Sequence, residues 1–491
     1  MQRALRWYDL ITLNIYFTGL TALSQTMTPL VLPLLVQRFV GGAAQGQFYG
    51  SLRLWGLMTA VLVQAVAGTL SDRSRLRWGR RRPFILTGTL LDLACLALID
   101  YTATLEGMGG YRLLFVGLIL LMVSTNIAHG PQQGLIPDLV PVEKRGQFSG
   151  VKALMEVPIP LMLVAFTIGP LVGNGRLEEA LLVLGAVLLV TMGITMLAPE
   201  KRPSAPPPPF PWETLLRLAG MTTVFTLVIL GSGALTSRAA RLLETVSLRT
   251  ALWGLGSIGL LAMSAAIGLG VWFSLHIGLD KRQRSGSAFT WWVVNRLAFL
   301  TATTNLAGFT LYFFQGRLGY AGEGAAIPAS RMLLLVGAFI LVSVLPAGYL
   351  SDRWGDKALL VTAGGIAALG TATLLSVPRL EVVYAGAILL GIASGIFYAS
   401  NWALGTRLVP PGEEGRYLGI SNLAGAGAGA VGAYIGGPIA DYFAAHYPAN
   451  PAIGYMLLFV IYGILFLLSV GAALPIASGR KIAESGAAAP L

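Results

Sequence analysis

The sequence predicts an all-α polytopic membrane protein. Of its 491 residues, 55% are hydrophobic and only 11% are charged, whereas a soluble domain carries roughly 25% charged residues. The mean hydropathy is high, at +0.71. Apolar segments long enough to cross a bilayer, which takes about 20 residues each, recur along the chain. The net charge of +12 is therefore interpreted first through membrane topology.

Fourteen candidate spans follow one another in the order six, two, six. The first six are 9–36, 47–70, 83–105, 112–136, 148–173 and 179–198. A Pro-rich linker follows at 199–212 and cannot be helical through its middle. The two inserted spans are 214–236 and 250–275. The last six are 289–315, 331–350, 358–377, 382–408, 417–442 and 452–476.

This order predicts four regions. They are an N-terminal six-helix bundle at 1–198, the linker with two inserted membrane helices at 199–288, a C-terminal six-helix bundle at 289–477 and a cytoplasmic tail at 478–491. The first apolar segment, Leu10 to Val36, is long for a signal-peptide core. We therefore expect it to be a retained helix.

The basic residues indicate the orientation of the chain. With both termini in the cytoplasm, 22 of the 34 Lys and Arg residues fall inside and nine fall outside. The remaining three, Arg53, Lys152 and Arg296, fall within spans. This bias follows the positive-inside rule. We expect a multi-pass protein of the cell inner (plasma) membrane with both termini cytoplasmic.

Two pairs of similar segments indicate an internal repeat. "GTLSDRSRLRWGRR" starts at Gly68 and "GYLSDRWGDK" at Gly348, an offset of 280 residues. "LVPVEKRGQFSG" starts at Leu139 and "LVPPGEEGRYLG" at Leu408, an offset of 269 residues. The similar offsets predict two homologous six-helix halves in parallel orientation. Parallel repeats are typical of transporters that work by alternating access, with the substrate site between the halves.

The segment after the second span carries a family resemblance. Its pattern "G-x-L-S-D-R" followed by "G-R-R" resembles the cytoplasmic signature of the major facilitator superfamily. The longer stretch "VQAVAGTLSDRSRLRWGRRRPFI", Val63 to Ile85, is similar to the same region of sucrose–proton and other glycoside–cation symporters. Asn126, Gly130, Pro131 and Asp138 in "NIAHGPQQGLIPDL" fit the same relatives. The resemblance implies a major facilitator fold of two six-helix bundles, here with two inserted helices.

The resemblance also implies a set of gating residues. Gly68 would let helix ends approach closely, and Asp72 would accept from backbone N–H groups at a neighbouring helix N-terminus. Arg73 and Arg80 would pair with acids to lock the cytoplasmic side closed. Alternatively, some of the arginines only fix topology or meet anionic lipid headgroups. The full set is Gly68, Asp72, Arg73, Gly79, Arg80, Arg81, Gly348, Asp352, Arg353 and Gly355.

The chain departs from its relatives at three points. When the sequences are aligned on Gly130 and Pro131, the sucrose symporters carry an aspartate where this chain has Met122. They carry an arginine where this chain has Gln133. They also have twelve spans and lack the inserted pair. An acid is the natural proton carrier and an arginine its natural partner, so a coupling site here needs other residues.

Ionisable side chains inside the spans are the candidates for coupling or ion pairing. Asp92 has no partner in its own helix and is the first choice for a titrating or cation-binding acid, unless it bridges to Arg53 or Arg296. Lys152 and Glu156 are four residues apart and can neutralise each other on one helical face. The candidates are Asp92, Glu156, Lys152, Arg53 and Arg296.

A sugar-type site needs hydrogen-bonding side chains beside aromatic rings. Asn126, His129 and Gln133 recur on one face of the fourth span, where helix–helix hydrogen bonding is the alternative role. Asn305 and Tyr312 are seven residues apart and are expected to share a face. The cavity candidates are Gln25, Gln64, Asn126, His129, Gln133, Asn305, Tyr312, Asn401 and Trp402.

Several function classes find no support in the sequence. It has no Walker A loop and no HExxH motif, its three histidines are far apart, and Cys95 is its only cysteine. We therefore expect no enzyme, no cofactor, no metal and no nucleic-acid partner, and a monomer in the lipid bilayer.

The leading prediction is a secondary transporter of a small polar solute, with sugar or glycoside favoured, coupled to a proton or cation. Two alternatives stay open. One is a drug or lipid exporter with an apolar cavity. The other is a pigment-delivery or membrane-complex assembly factor, which transports no solute.

Overall fold

A computed structural model describes residues 5–200, 209–243, 245–279, 287–409 and 414–476. The middle of the Pro-rich linker, most of the basic segment before the last six spans and the C-terminal tail lie outside the described residues. Thirteen helices of the described part are long and apolar enough to cross a membrane, and a bent pair makes a fourteenth. The predicted all-α fold class with fourteen spans is confirmed.

We number the spans α1 to α14. The first six are Asp9–Val40, Gln45–Arg73, Arg82–Thr102, Gly107–Leu139, Arg145–Gly173 and Leu177–Thr195. The inserted pair, α7 and α8, is Trp212–Leu242 and Leu248–Gly278. The bent α9 is Ala288–Gly308 with Thr310–Leu318. Helices α10 to α14 are Gly322–Ser351, Asp356–Ser376, Leu380–Leu408, Gly419–His446 and Ala452–Ala473.

Three of these spans are irregular inside the membrane. Helix α1 contains a π-helical turn at Met27–Val31, around Pro29, and α5 contains another at Val164–Ile168. Helix α9 bends by 57° after Gly308. The missing side chain of Gly308 leaves room for the Tyr49 hydroxyl. Such breaks in the backbone ladder frequently accompany functional sites.

The chain forms two compact units. Unit 1 comprises 1–41, 55–216 and 321–334, and unit 2 comprises 42–54, 217–320 and 335–491. Helices α2, α7 and α10 are therefore each divided between the units, although only the first five residues of α7 (212–216) belong to unit 1. This division does not follow chain order, because the first turns of α2 belong with the last six spans.

Helices in unit 1 pack closely through small residues. Helix α3 lies along α4, and a side chain at Gly88 would collide with the backbone of Ala128. A side chain at Gly169 of α5 would likewise collide with the Ser330 side chain near the start of α10. Small residues at such contacts let helix backbones approach, which drives association within lipid.

Unit 2 holds the inserted pair. Helix α8 packs along α13, and the Phe225 ring of α7 fills the space beside Gly427 of α13. Helices α11 and α12 are joined at Gly370 and Gly386, where either residue would collide with the other helix if it carried a side chain. Helix α9 packs against both α13 and α14. The inserted helices are thus an integral part of this unit.

Candidate functional site

Asp92 is a buried acid in the middle of α3, with a solvent exposure of 0%. Its Oδ1 accepts hydrogen bonds from the hydroxyls of Ser124 and Thr125 on α4, the second at 2.7 Å. Its Oδ2 has no hydrogen-bond partner among the described residues. Hydroxyls do not neutralise a carboxylate, so the hydrogen bonds shown among the described residues supply no counter-charge to Asp92.

Lys152 and Glu156 of α5 form the predicted ion pair, with 3.5 Å between Lys152 Nζ and Glu156 Oε2. Lys152 Nζ also lies 4.4 Å from the ring centroid of Phe17 on α1. Both charged side chains are partly exposed. The pair therefore neutralises itself, as the alternative interpretation of these two residues expects.

The polar residues of α4 separate into two groups. His129 Nε2 and Gln133 Nε2 lie 3.1 Å apart as a hydrogen-bonded pair, and the His129 ring meets Phe17 edge-on. Asn126 is buried and donates to Met122 O in its own helix at 2.8 Å. Gln132 Nε2 donates to Leu13 O of α1 at 2.9 Å, so it joins two helices. Of the three predicted cavity residues, only His129 and Gln133 keep partly exposed side chains.

The glutamine candidates of α1 and α2 are both half-buried in unit 1. Gln25 lies two residues before the π-helical turn of α1, which begins at Met27. Gln64 brings α2 against α4, since its carbonyl oxygen stands where a side chain of Gly130 would go. Both side chains remain candidates for solute contact.

Unit 2 contains a buried cluster around Arg296. Arg296 Nη1 donates to Asn401 Oδ1 at 2.7 Å, and Trp292 Nε1 donates to the Asn401 carbonyl at 3.0 Å. The Arg296 guanidinium lies 5.9 Å from the Trp292 ring centroid. Tyr398, three residues before Asn401, interacts electrostatically with Arg296. Trp402 is 58% exposed on the same stretch of α12.

A bend of 57° after Gly308 interrupts α9 between Asn305 and Tyr312, so their seven-residue spacing no longer implies a shared helix face. Asn305 Nδ2 donates to Thr301 O at 2.8 Å and to Ala428 O of α13 at 3.0 Å, which makes it a link between helices. Tyr312 is buried beside the Tyr455 ring, with centroids 5.4 Å apart. Both side chains are buried among neighbouring helices.

Arg53 is half-buried in the segment of α2 that belongs to unit 2. Its guanidinium acts electrostatically on the Tyr49 hydroxyl. Arg53 is thus part of the aromatic cluster of Tyr49, Phe309 and Tyr312, whose rings meet edge-on or tilted.

The arginine-rich loop between α2 and α3 is held by two acids. The Glu200 carboxylate accepts from the backbone N–H groups of Arg80, Arg81 and Arg82 at 2.9, 2.7 and 3.0 Å. Since α3 begins at Arg82, Glu200 occupies the N-terminus of that helix, where the dipole favours an anion. Asp138 at the end of α4 accepts from Arg80 Nε at 3.1 Å and Arg81 Nε at 2.9 Å. The Asp138 hydrogen bond raises the pKa of Arg80 above its ordinary value.

Two predicted gating roles, those of Asp72 and Gly68, need correction. Asp72 forms an ion pair with Arg81, and Glu200 instead lies at the helix N-terminus that was predicted for Asp72. Arg80 pairs with the acid Asp138, as expected, and Arg73 lies over the Phe210 ring, with 5.0 Å to the centroid. A side chain at Gly68 would meet nothing within 4 Å, because the close approach is made through Gly130 on the opposite helix.

Gly79 and Glu200 fit together tightly. Gly79 has a φ of +106°, a backbone conformation that favours glycine. A side chain there would also collide with the Glu200 carboxylate. Gly79 therefore shapes the turn that presents three N–H groups to this acid.

The second copy of the motif is built differently. Asp356 at the start of α11 is buried and accepts from Arg407 Nη1 at 2.9 Å and from the Ser351 hydroxyl. Gly355, with a φ of +83°, makes the turn between α10 and α11. Arg353 lies over the Tyr349 ring at 4.8 Å, and a side chain at Gly348 would meet nothing within 4 Å. The Asp352 side chain lies outside the described residues.

Sequence reasoning missed four charged residues that organise these ends: Glu200, Asp356, Arg407 and Asp441. Asp441 of α13 accepts from the backbone N–H groups of Gly46 and Gln47, both at 2.7 Å, at the start of α2. The only sequence signal for these four residues was their position near the end of a predicted span, and this position does not identify the helix that each one contacts. Among the described residues, no group of three His, Cys, Asp or Glu side chains could hold a metal ion.

Comparisons with solved structures support the fold. The chain superimposes on a D-xylose-proton symporter with a TM-score of 0.62 at 15% identity, covering 96% of this chain and 97% of that one. It superimposes on a POT family transporter in complex with 5-aminolevulinic acid with a TM-score of 0.64 at 12% identity, covering 96% of each chain. Residues 297–489 match the family model of the Major Facilitator Superfamily.

Curated relatives match a shorter stretch. The sucrose transport protein SUT4 of Oryza sativa subsp. indica is 34% identical over 102 residues, which are 18% of this chain and 17% of the relative. The sucrose transport protein SUC3 of Arabidopsis thaliana is 28% identical over 123 residues, 22% of this chain and 21% of the relative. The chain thus matches about a fifth of the length of these relatives. The predicted resemblance to the sucrose–proton branch is confirmed.

Proposed function

We propose that this chain, which has the major facilitator fold, is a secondary active transporter that moves a small polar solute by alternating access. Sugar or glycoside is the favoured solute class, and a proton is the favoured coupling ion. The fold, the resemblance to sucrose transport proteins and the polar side chains inside the spans support the proposal. The proposal depends most on the buried position of Asp92 and on its Oδ2, which has no hydrogen-bond partner among the described residues.

Asp92 has the chemistry of a proton carrier. A carboxylate inside the membrane is costly unless it is neutralised or paired. The two hydroxyls at Oδ1 position the side chain, while Oδ2 is left with no described partner. We propose that Oδ2 binds the coupling proton and releases it when the conformational change admits water to α3.

Polar side chains in each unit support a polar solute. In unit 1, the hydrogen-bonded His129 and Gln133 keep partial exposure, as do Gln25 and Gln64. In unit 2, Asn401 accepts a hydrogen bond from Arg296, and Trp402 follows Asn401 in α12 with a side chain that is 58% exposed. Hydrogen-bonding groups next to aromatic rings suit sugar hydroxyls and ring faces. We propose that these residues contact the solute, and that Asn126, Asn305 and Tyr312 support the helices.

Asp92→Asn tests the coupling. A thermal-shift panel of sugars and glycosides on purified protein first identifies a solute, whose uptake is then measured in proteoliposomes with and without an inward proton gradient. In the variant we expect gradient-driven uptake to fall to the level seen without a gradient. Exchange of solute across the membrane should persist, because asparagine keeps the acceptor for Ser124 and Thr125.

Asp100→Asn is the matched control, since Asp100 is a half-buried acid on the same helix and should leave coupling intact. Gradient-driven uptake that survives in Asp92→Asn would contradict the coupling role. A protein that responds to no solute and catalyses no uptake would contradict the transporter proposal and favour the assembly factor.

An apolar cavity favours a second candidate, the drug or lipid exporter. The cavity has a volume of about 500 Å³ and lies among α2, α3 and α4. Its lining includes Leu62, Val66, Leu70, Leu76, Phe84 and Ile127. Binding of apolar compounds but of no sugar, with loss of that binding in Val66→Trp, would favour this candidate.

A further inference from the structure

We infer that the solute carries an oxyanion, a carboxylate or phosphate group, and that Arg296 and Asn401 bind it. This inference rests on the proposed transport function and narrows its substrate class to anionic solutes such as acidic sugars. It comes from a mismatch among the described residues of unit 2, where the half-buried cation Arg296 has an unused donor and no ion-paired carboxylate.

Arg296 is a cation within the membrane-spanning part of α9. At 1.5 Å per residue it lies about 12 Å along the helix from Ala288. Among the residues that the structure describes, no carboxylate forms an ion pair with it. It donates to the Asn401 amide oxygen, lies over the Trp292 ring and interacts electrostatically with Tyr398, and none of these neutral side chains supplies a full negative charge. An intramembrane guanidinium without a counter-ion is costly and usually functional.

The unused hydrogen-bonding groups of the cluster are both donors. Arg296 Nε and Asn401 Nδ2 are buried and have no hydrogen-bond partner among the described residues. The Asn401 amide orientation is fixed, because its Oδ1 accepts from Arg296 at 2.7 Å and a flipped amide would place donor against donor. The free Nε–H of the Arg296 guanidinium and the free amide N–H of Asn401 are donors of the kind that an oxyanion accepts from.

The cluster is rigid, and partly exposed side chains border its buried donors. Asn401 is 0% exposed and is held by Trp292 Nε1 at its carbonyl, so little side-chain freedom is lost on binding. Arg296 is half-buried and Tyr398 is 38% exposed, so the buried donors lie close to the accessible surface of this cluster. A neutral sugar would satisfy the donors but would leave the charge of Arg296 uncompensated. Charge is therefore the property that this cluster selects.

Three probes with the same ring test the inference on the purified full-length protein. Glucose is neutral, glucuronate adds a carboxylate and glucose 6-phosphate adds a phosphate. Binding is followed by thermal shift and by tryptophan fluorescence. We expect at least one anionic probe to bind about 10- to 100-fold more tightly than glucose, the range expected for a charge-assisted hydrogen bond. The preferred probe distinguishes a carboxylate solute from a phosphorylated one.

Substitutions at the cluster decide whether Arg296 is responsible. Arg296→Gln should remove the preference for the anionic probe, and Arg296→Lys should keep part of it. Arg317→Gln is the matched control, because Arg317 is a half-buried arginine in the second segment of α9 and should keep the full preference. Asn401→Asp places a carboxylate beside Arg296, so it should raise the unfolding temperature and abolish binding of the anionic probe even if Arg296→Gln does not fold.

The outcomes separate this inference from the proposed function. Equal binding of the three probes, no binding of any of them, or a preference that survives Arg296→Gln would overturn the oxyanion site. In that case, coupled uptake of a neutral sugar would still support the proposed transport function. Conversely, anion binding that depends on Arg296 in a protein that transports no solute would keep the site and contradict transport.

Discussion

Glu200 shows how a single carboxylate organises one end of unit 1. Its side chain is 5% exposed and receives three backbone N–H groups, those of Arg80, Arg81 and Arg82. These donors have no intrahelical partner because they precede or begin α3. The acid also meets Arg82 Nε at 3.8 Å. A residue from the end of the first six spans thereby fixes the start of the third.

Glu200→Gln should destabilise the protein. The amide keeps one acceptor oxygen and places a donor against backbone N–H groups, and loss of a helix cap costs about 0.5–2 kcal/mol. We expect a lower unfolding temperature for the purified protein in detergent. Glu381→Gln is the control, since Glu381 is an exposed acid in the first turn of α12. An equal effect of the two substitutions would argue against a capping role for Glu200.

Helices α2 and α10 each have a longer segment in one unit and several turns in the other. The start of α2 lies in unit 2, where Asp441 accepts from its first N–H groups and Gln45 Nε2 donates to the Tyr455 hydroxyl at 2.8 Å. Gly46 and Gly437 touch through their backbones. The start of α10 lies in unit 1, against Gly169. Both contacts depend on small residues and would be lost if a side chain separated the helices.

Gly437→Ala tests the contact between α2 and α13. The added methyl would collide with the Gly46 backbone, and overpacking of this kind costs about 1–3 kcal/mol. We expect a lower unfolding temperature in detergent. Gly425→Ala on the same helix is the control, because a side chain there would meet nothing within 4 Å. The contact would be unimportant for stability if both variants unfolded at the temperature of the native protein.

At the scale of the whole molecule, each of the two copies of the loop motif forms a turn held by ion pairs, but the residues that form the pairs differ. In unit 1, Arg81 reaches Asp72 and Asp138. In unit 2, Arg407 reaches Asp356. A glycine with positive φ, Gly79 or Gly355, makes the turn in each. The repeat therefore preserves an ion-paired turn between consecutive spans although most of the side chains differ.

The predicted orientation can be tested on the whole chain by cysteine labelling. The native Cys95 is buried, so it should not react. In intact cells, a membrane-impermeant maleimide should label Asn174→Cys, which lies in a predicted outside loop. It should label Ser74→Cys, in a predicted inside loop, only after the cells are permeabilised. The reverse pattern would place both termini outside.

The sequence by itself determined the number and approximate limits of the spans, because hydropathy is a local property that each segment of about 20 residues carries alone. It also located the ionisable residues that the membrane makes costly, including Asp92, Arg296 and the Lys152–Glu156 pair, whose four-residue spacing fixes its geometry. The loop motif and its resemblance were equally readable from residue order.

Only the tertiary structure decided which partners these residues have. The local sequence pattern did not predict the bend in α9 between Asn305 and Tyr312. It also did not predict that an inserted helix packs along α13. It could not assign Glu200 in place of Asp72 to the start of α3. Hydrogen bonds and close contacts join residues far apart in the chain, so they are set by how helices pack and not by the composition of any one of them.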